Sequence, residues 1–477
     1  MRPALLLAVV TLAGAAHAAL PPPVAREFRL AGVPPSAVAV VVQETGRPRP
    51  LLAHQAARAM NPASVMKVVT TFAALELLGP DYRWTTEAVL DGPLENGVLH
   101  GNLVLVGHGD PKITIEQWQA FMTKLVAQGL TAVDGDLVLD RSFFAPPPYD
   151  PAAFDGEPLK PYNVGPDALL VDFKAVKLTF APDAMGEGAA VLAEPPLPNV
   201  TIGPPPRLGG GECNDWRGAL GAVFTDRGTS AEVRFAGHYP ASCGEREWWV
   251  SLLDHPSYVH AMFATYFRAA GGRFAGGWRN GRAPAGKAAF AVLESPPLYD
   301  VVRDVNKLSN NVMARQLFLT LATARSPPPA TPAGATAAVK RWLATRGLKM
   351  PELVLENGSG LSRKERISAG SLVRLLLAAD ASPVRDEFAS SLAVTATDGT
   401  LERRFQNGDV AGQGLLKTGT LEGARAIAGY VVTADGRRFA LAAIVNHPNA
   451  SRAQPALDFF VQWIHHHAAA WDALTRH

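Results

Sequence analysis

Pro62-Ala63-Ser64-Val65-Met66-Lys67-Val68-Val69-Thr70-Thr71-Phe72-Ala73-Ala74-Leu75 opens on a proline and continues with apolar residues at helical spacing. Val65, Val68, Val69, Phe72, Leu75 and Leu78 predict a helix, and Gly79-Pro80 stops it. Few charges interrupt the stretch, so the helix is expected to be buried on much of its circumference. Ser64 and Lys67 lie three residues apart near its start, on one face. A serine hydroxyl is a weak nucleophile at neutral pH and needs a nearby base. Lys67 can be that base if burial or neighbouring cations lower its pKa. The plainer alternative is an N-capping serine beside a surface lysine.

Outward from this helix, Ala37-Val38-Ala39-Val40-Val41-Val42 reads as a buried strand. Thr45-Gly46-Arg47-Pro48 turns the chain and Leu51-Leu52-Ala53 returns. Downstream, from about Trp84 to Val250, short β-like pieces such as Leu103–Val106, Leu137–Leu139 and Leu178–Phe180 alternate with Gly, Pro and Asp turns. This predicts a β-rich insertion of one domain or two nested ones. Helical patterns return at Tyr258–Ala270, Leu298–Ala324, Ala335–Arg346 and Ser368–Ala379. Near the end, Leu415–Thr420, Ala426–Val432 and Phe439–Val445 read as strands, with Asp435-Gly436 as a turn. A last helix is expected from about Gln454 to Leu474. Strands from both ends of the chain would then share one antiparallel sheet.

The 477 residues exceed one ordinary core. Hydrophobic residues make up 48% and charged ones 18%, and the formal net charge is +2 without a basic run, which argues against nucleic acid as a partner. Arg2, the apolar run Ala4–Ala15 and Ala16-His17-Ala18 have the form of a signal peptide cleaved after Ala18. The apolar run is shorter than the roughly 20 residues of a membrane-spanning helix. Two cysteines, Cys213 and Cys243, lack zinc-site spacing, leaving a disulfide or two buried thiols. In an exported protein the disulfide is favoured. His465-His466-His467 invites a metal reading. Consecutive helical positions point different ways, however, and no carboxylate motif accompanies them, so no metal or cofactor is expected.

Two further motifs stand far from Ser64 along the chain. Ser309-Asn310-Asn311 precedes a helical run; it offers a hydroxyl to relay a proton and an amide to bind a substrate backbone, or else simply caps the helix. Lys417-Thr418-Gly419-Thr420 lies on a strand; it offers a cation for a carboxylate, a hydroxyl, and a glycine for close backbone approach. A chance Lys-Thr-Gly is expected in only about one chain in twenty of this length.

Ser-x-x-Lys, Ser-x-Asn and Lys-Thr-Gly in this order mark penicillin-binding proteins and serine β-lactamases. The chain resembles the class C low-molecular-mass penicillin-binding proteins, the D-alanyl-D-alanine carboxypeptidase/endopeptidase group. The long separation of Lys67 from Ser309 carries that resemblance. So do Gly107-His108-Gly109-Asp110-Pro111, Asn357-Gly358-Ser359-Gly360-Leu361-Ser362-Arg363 with Arg366-Ile367-Ser368, and Asp398-Gly399-Thr400-Leu401.

The resemblance implies an α/β fold in which an antiparallel sheet is flanked by helices and carries β-rich insertions. The expected divisions are a signal peptide at 1–18, catalytic parts at 19–83 and 251–477, and the insertion at 84–250. It implies cleavage of peptidoglycan stem peptides through an acyl-enzyme on Ser64, with β-lactams as covalent inhibitors, in the periplasm and without a transmembrane anchor. Lys67 would be the base, or Ser309 and Lys417 would share that task; Ser309 would carry a proton to the leaving group, and Asn311 would be a substrate-amide ligand. Lys417 and Thr418 would hold the terminal carboxylate, and the N–H groups of Ser64 and Thr420 would form an oxyanion hole beside Gly419. Asp140 would reach a cationic group of the stem, and Arg363 would border the site. Glu422 stands where some relatives carry Gln. The rival functions are a β-lactamase, which needs a fast deacylation base, and a non-catalytic wall-binding protein.

Overall fold

The computed structural model describes residues 19–475 apart from 184, 185 and 325, so the expected signal peptide lies outside the described residues. The framework is a six-stranded antiparallel sheet in the order Leu52–His54, Val38–Glu44, Arg438–Asn446, Ala424–Val432, Gly414–Leu421, Ala393–Val394. The first long strand pairs with the last, from Val38 opposite Val445 to Glu44 opposite Phe439. Strand side chains alternate between faces. Val38, Val40 and Val42 enter one core with the helices Pro22–Leu30 and Gln454–Thr475. Ala39 and Val41 enter another, with Lys67–Leu78, Asn311–Thr323 and Ala369–Asp380. Burial on both faces is why the sequence shows a continuous apolar run here instead of polar–apolar alternation.

Alanines line the inner face at Ala426, Ala428, Ala440 and Ala442, and these small side chains let the helical layer approach closely. The Leu298–Ala324 pattern divides into the helices Leu298–Lys307 and Asn311–Thr323. The break falls at Ser309, whose φ of 57° is incompatible with a continuous right-handed helix.

A second group of strands, in the stretch expected to be the insertion, begins at Thr85. Its largest sheet runs Trp278–Asn280, Leu137–Asp140, Asn102–Gly107, Thr85–Asp91, Ala291–Glu294. Two of these strands lie beyond residue 250: Trp278 pairs with Leu137 and Ala291 with Ala88. The helix His255–Ala269 shares the insertion's core with the helix Ile115–Ala127. Residues 251–294 therefore pack with the insertion, whereas the sequence reading returned them to the catalytic part. Their helix and very short strands carry no local sign of which sheet they join. A smaller lobe is built on Val176–Pro182, flanked by Ala189–Glu194 and Arg246–Val250. Cys213 and Cys243 are disulfide-bonded there.

Candidate active site

Ser64 sits in a short 3₁₀ turn, Ala63–Met66, that feeds the Lys67–Leu78 helix. Ala63 has a φ of 48°, a left-handed conformation unusual for a residue with a Cβ. The surroundings hold it there. Asn61 Oδ1 accepts from the Ala63 N–H at 2.9 Å, and Asn61 Nδ2 donates to Ser362 O at 2.8 Å. Two glycines press on the turn. A Cβ at Gly360 would lie 2.0 Å from Ala63 O and 2.8 Å from Ser64 Cα. A Cβ at Gly419 would lie 2.5 Å from Pro62 O and 3.1 Å from Ser64 N. Gly419 is thus required by close approach of the nucleophile turn itself, where the sequence suggested room for substrate.

Lys67 is fully buried. Its Nζ lies 3.1 Å from Ser64 Oγ and donates to Asn311 Oδ1 and Ser359 O, both at 2.6 Å. Burial, then the positive charges of Lys417 and Arg315, push its pKa well below that of a free lysine, with Glu365 opposing. In the neutral amine, two N–H groups satisfy the two short contacts. The lone pair is then left for the Ser64 hydroxyl, which donates to it.

Asn311 is the first residue of its helix, and Asn310 caps that helix by accepting from the Met313 N–H at 3.0 Å. The break before the helix presents Ser309, whose Oγ accepts from Lys417 Nζ at 2.8 Å. Lys417 is also fully buried, and burial pulls its pKa down to about 7. The three motifs therefore close on one another: the first meets the second through Lys67 and Asn311, the second meets the third through Ser309 and Lys417, and Gly419 abuts the Ser64 backbone.

The Lys417 strand presents an open edge. Ala393–Val394 pairs only with Leu416 and Leu415, so no strand among the described residues covers Lys417 to Leu421 on that side. Thr418 Oγ1 donates to Thr400 Oγ1 at 2.9 Å, and Thr420 is exposed. Lys307 forms an ion pair with Asp398, fastening the Asp398–Leu401 segment beside Ser309.

Two expected residues make no hydrogen bond to Ser64, Lys67 or Lys417. Asp140 ends its strand with Oδ1 accepting from Ser142 N–H and Oγ, and Oδ2 accepting from Ala283 N–H at 2.8 Å. Burial raises its pKa, but these bonds and Arg282 outweigh it and hold the carboxyl below its usual range. None of its hydrogen bonds reaches Ser64, Lys67 or Lys417. Arg363 pairs with Glu422 at 3.1 Å and lies 4.8 Å from the Phe154 ring, lining a cleft of about 350 Å³ with Tyr149, Arg315 and Asn357. His465 is buried and its Nδ1 meets Val432 O at 2.7 Å. Among the described residues, no group of His, Cys, Asp and Glu side chains is disposed to hold a metal.

Sequence reasoning missed the Ser359 carbonyl as a partner of Lys67, and missed the buried charges of Arg315 and Glu365. The one available signal was Arg315 as the single charged residue in the run Val312–Leu321.

The family model of the D-Ala-D-Ala carboxypeptidase 3 (S13) family matches residues 29–465. The chain is 29% identical to the D-alanyl-D-alanine carboxypeptidase of Actinomadura sp. (strain R39), over 83% of this chain and 75% of that protein. Its fold is similar to that of penicillin binding protein 4 (dacB) from Haemophilus influenzae, with a TM-score of 0.76, 22% identity, and coverage of 92% of this chain and 99% of the other. The same protein complexed with a β-lactam superposes with a TM-score of 0.72 at the same identity and coverage.

Proposed function

The chain belongs to the D-Ala-D-Ala carboxypeptidase 3 (S13) family of serine-type hydrolases, and from that premise we propose that it cleaves peptidoglycan stem peptides by acylation and deacylation of Ser64. The observation that carries this reading is the Lys67 amine, buried and 3.1 Å from Ser64 Oγ, with its remaining hydrogen-bonding capacity used by Asn311 and Ser359.

The Ser64 hydroxyl passes its proton to neutral Lys67 as Oγ attacks the carbonyl of the penultimate D-Ala. The tetrahedral oxyanion lies between the N–H groups of Ser64 and Thr420, and a preorganised donor of this kind contributes about 3 kcal/mol. Collapse breaks the C–N bond. The proton that Lys67 took from Ser64 moves on to the leaving amine by way of Ser309, which is bonded to Lys417, and Lys67 is neutral again. Water then attacks the ester, its proton passing through neutral Lys67 to Ser64 Oγ as the C–O bond breaks, so that the acid departs with the water's hydroxyl and the free serine and amine are restored. Lys417 and Thr418 receive the substrate's terminal carboxylate, and the open edge beside them suits an extended peptide adding as a strand. A β-lactam enters by the same attack. Its leaving nitrogen stays tethered after ring opening, blocks water, and leaves a long-lived ester.

A deacylation base of the β-lactamase kind finds no support. Among the described residues, no carboxylate is hydrogen-bonded to Ser64 or Lys67. Glu365, which acts on Lys67 through its charge, has Oε1 committed to three backbone N–H groups. Buried Lys67 and Lys417 likewise speak against a purely wall-binding role, because two unneeded buried amines are costly.

We place the protein in the periplasm. The Cys213–Cys243 disulfide suits an oxidising compartment, and among the described residues no helix is long and apolar enough to cross a membrane. We assign 19–83 and about 295–477 to the catalytic part, and the residues between to the insertion.

The test is release of D-Ala from a synthetic peptide ending in D-Ala-D-Ala, and of peptide arms from cross-linked muropeptides, followed by mass spectrometry. Wild type releases one or both products and Ser64→Ala neither. Equal release by both proteins contradicts the assignment.

A further inference from the structure

The two short acceptors of Lys67 are Asn311 Oδ1 and Ser359 O; the segment that carries Ser359 is held by the buried Glu365, and the helix that carries Asn311 by the buried Arg315. Glu365 is completely buried. Its Oε1 accepts from the backbone N–H groups of Glu356, Asn357 and Gly358 at 3.0, 3.0 and 2.9 Å. Those N–H groups lead directly into Ser359, whose carbonyl receives Lys67, and Gly358 O accepts from Thr70 on the nucleophile helix at 2.6 Å. The next residue is Gly360, which is wedged against Ala63 and Ser64. One carboxylate oxygen thus fixes the segment that packs against the nucleophile, while Oε2 has no hydrogen-bond partner.

Arg315 follows Asn311 by about one helical turn and is 3% exposed. Its Nη1 donates to Tyr162 O and Val164 O at 3.0 and 2.7 Å, tying the Asn311 helix to the insertion. Its guanidinium lies 5.5 Å from the Tyr149 ring, and its Nε has no hydrogen-bond partner. Structural ballast alone would not place a cation and an anion, each with an unsatisfied polar atom, behind the two acceptors of a single lysine.

We propose that Arg315 and Glu365 are positioning residues for the Lys67–Ser64 pair, fixing the helix that carries Asn311 and the segment that carries Ser359 while presenting opposite charges to the Lys67 amine. The charged groups facing Lys67 are Lys417 from the Gly414–Leu421 strand, Arg315 from the Asn311–Thr323 helix, and Glu365 from the segment after Ser362. The two cations depress its protonation and the carboxylate favours it. The inference rests on the role given to Ser64 and Lys67 under the proposed function.

The two charges make predictions of opposite sign. Lys67 must be neutral to accept the Ser64 proton, so acylation rises with pH through the Lys67 pKa. Removing the cation raises that pKa, and removing the anion lowers it. The experiment is the pH dependence of the acylation rate with a labelled penicillin for wild type, Arg315→Met, Arg315→Lys and Glu365→Gln, with thermal unfolding recorded for each. Arg315→Met moves the acid limb to higher pH and Glu365→Gln to lower pH, each by about half a unit or more. Arg315→Lys, which keeps the charge, restores the wild-type limb. Limbs that stay in place, or that move together, overturn the proposal. If Glu365→Gln does not fold, Arg315→Met against Arg315→Lys still decides. A wild type that takes no label sinks the proposed function and this inference together. A labelled wild type with unmoved limbs sinks this inference alone.

Discussion

The seam around Ser64 and the small lobe built on Val176–Pro182 are held together by different means. The seam buries Lys67, Lys417 and Glu365 completely and Arg315 almost completely. Charges moved out of water cost several kcal/mol each unless hydrogen bonds and partners compensate them. Here each one hands on to the next: Lys67 to Asn311 and Ser359, Lys417 to Ser309, and Glu365 to three N–H groups. The lobe avoids buried charge. Its centre is a knot of rings, Phe180 against Trp216, Phe235 and Tyr239, with Trp216 against Trp248. The Cys213–Cys243 disulfide closes a 30-residue separation beside it. Stability that chemistry can disturb lies in the seam, and stability indifferent to chemistry lies in the lobe. Substitutions in the two regions should therefore fail differently.

Removing the Lys67 amine while keeping the stem is the sharpest way to break the seam. Lys67→Met is expected to lower the acylation rate by about 10²–10⁴ while the protein stays folded, as read by penicillin labelling beside circular dichroism. Gly360→Ala acts on geometry instead. Gly360 has a φ of 80°, and an added methyl meets Ala63 O at 2.0 Å. The nucleophile turn must shift, and displacement of about 1 Å costs roughly 10² in rate, so labelling should slow by that factor and Tm should fall. In the lobe the order reverses. Cys213→Ser with Cys243→Ser should lower stability by about 3 kcal/mol in thermal unfolding and leave the labelling rate of Ser64 unchanged. A large loss of labelling in that variant would show that the two regions are not separable.

Much of this contrast was legible in the chain. Continuous apolar runs and turn residues announced the terminal strands, and Ser64, Lys67, Ser309, Asn311 and Lys417 stood out through residue type and spacing. Four things were not legible. The membership of residues 251–294 depends on pairings such as Trp278 with Leu137, which are far apart in sequence and only a few residues long. The Ser359 carbonyl is a backbone atom, and side-chain motifs do not reveal it. The left-handed conformations of Ala63 and Ser309 are imposed by packing, because neither residue type prefers them. Glu365, among polar neighbours in Ser362-Arg363-Lys364-Glu365-Arg366, reads as a surface charge, and only the fold turns it inward.

Everything depends on Ser64 Oγ being the atom that Lys67 activates. The most direct test is to incubate the protein with labelled penicillin, digest it, and locate the adduct by mass spectrometry. The account predicts a stable adduct on the peptide containing Ser64 and no adduct in Ser64→Ala. An adduct on another residue, or equal labelling of the two proteins, would contradict it.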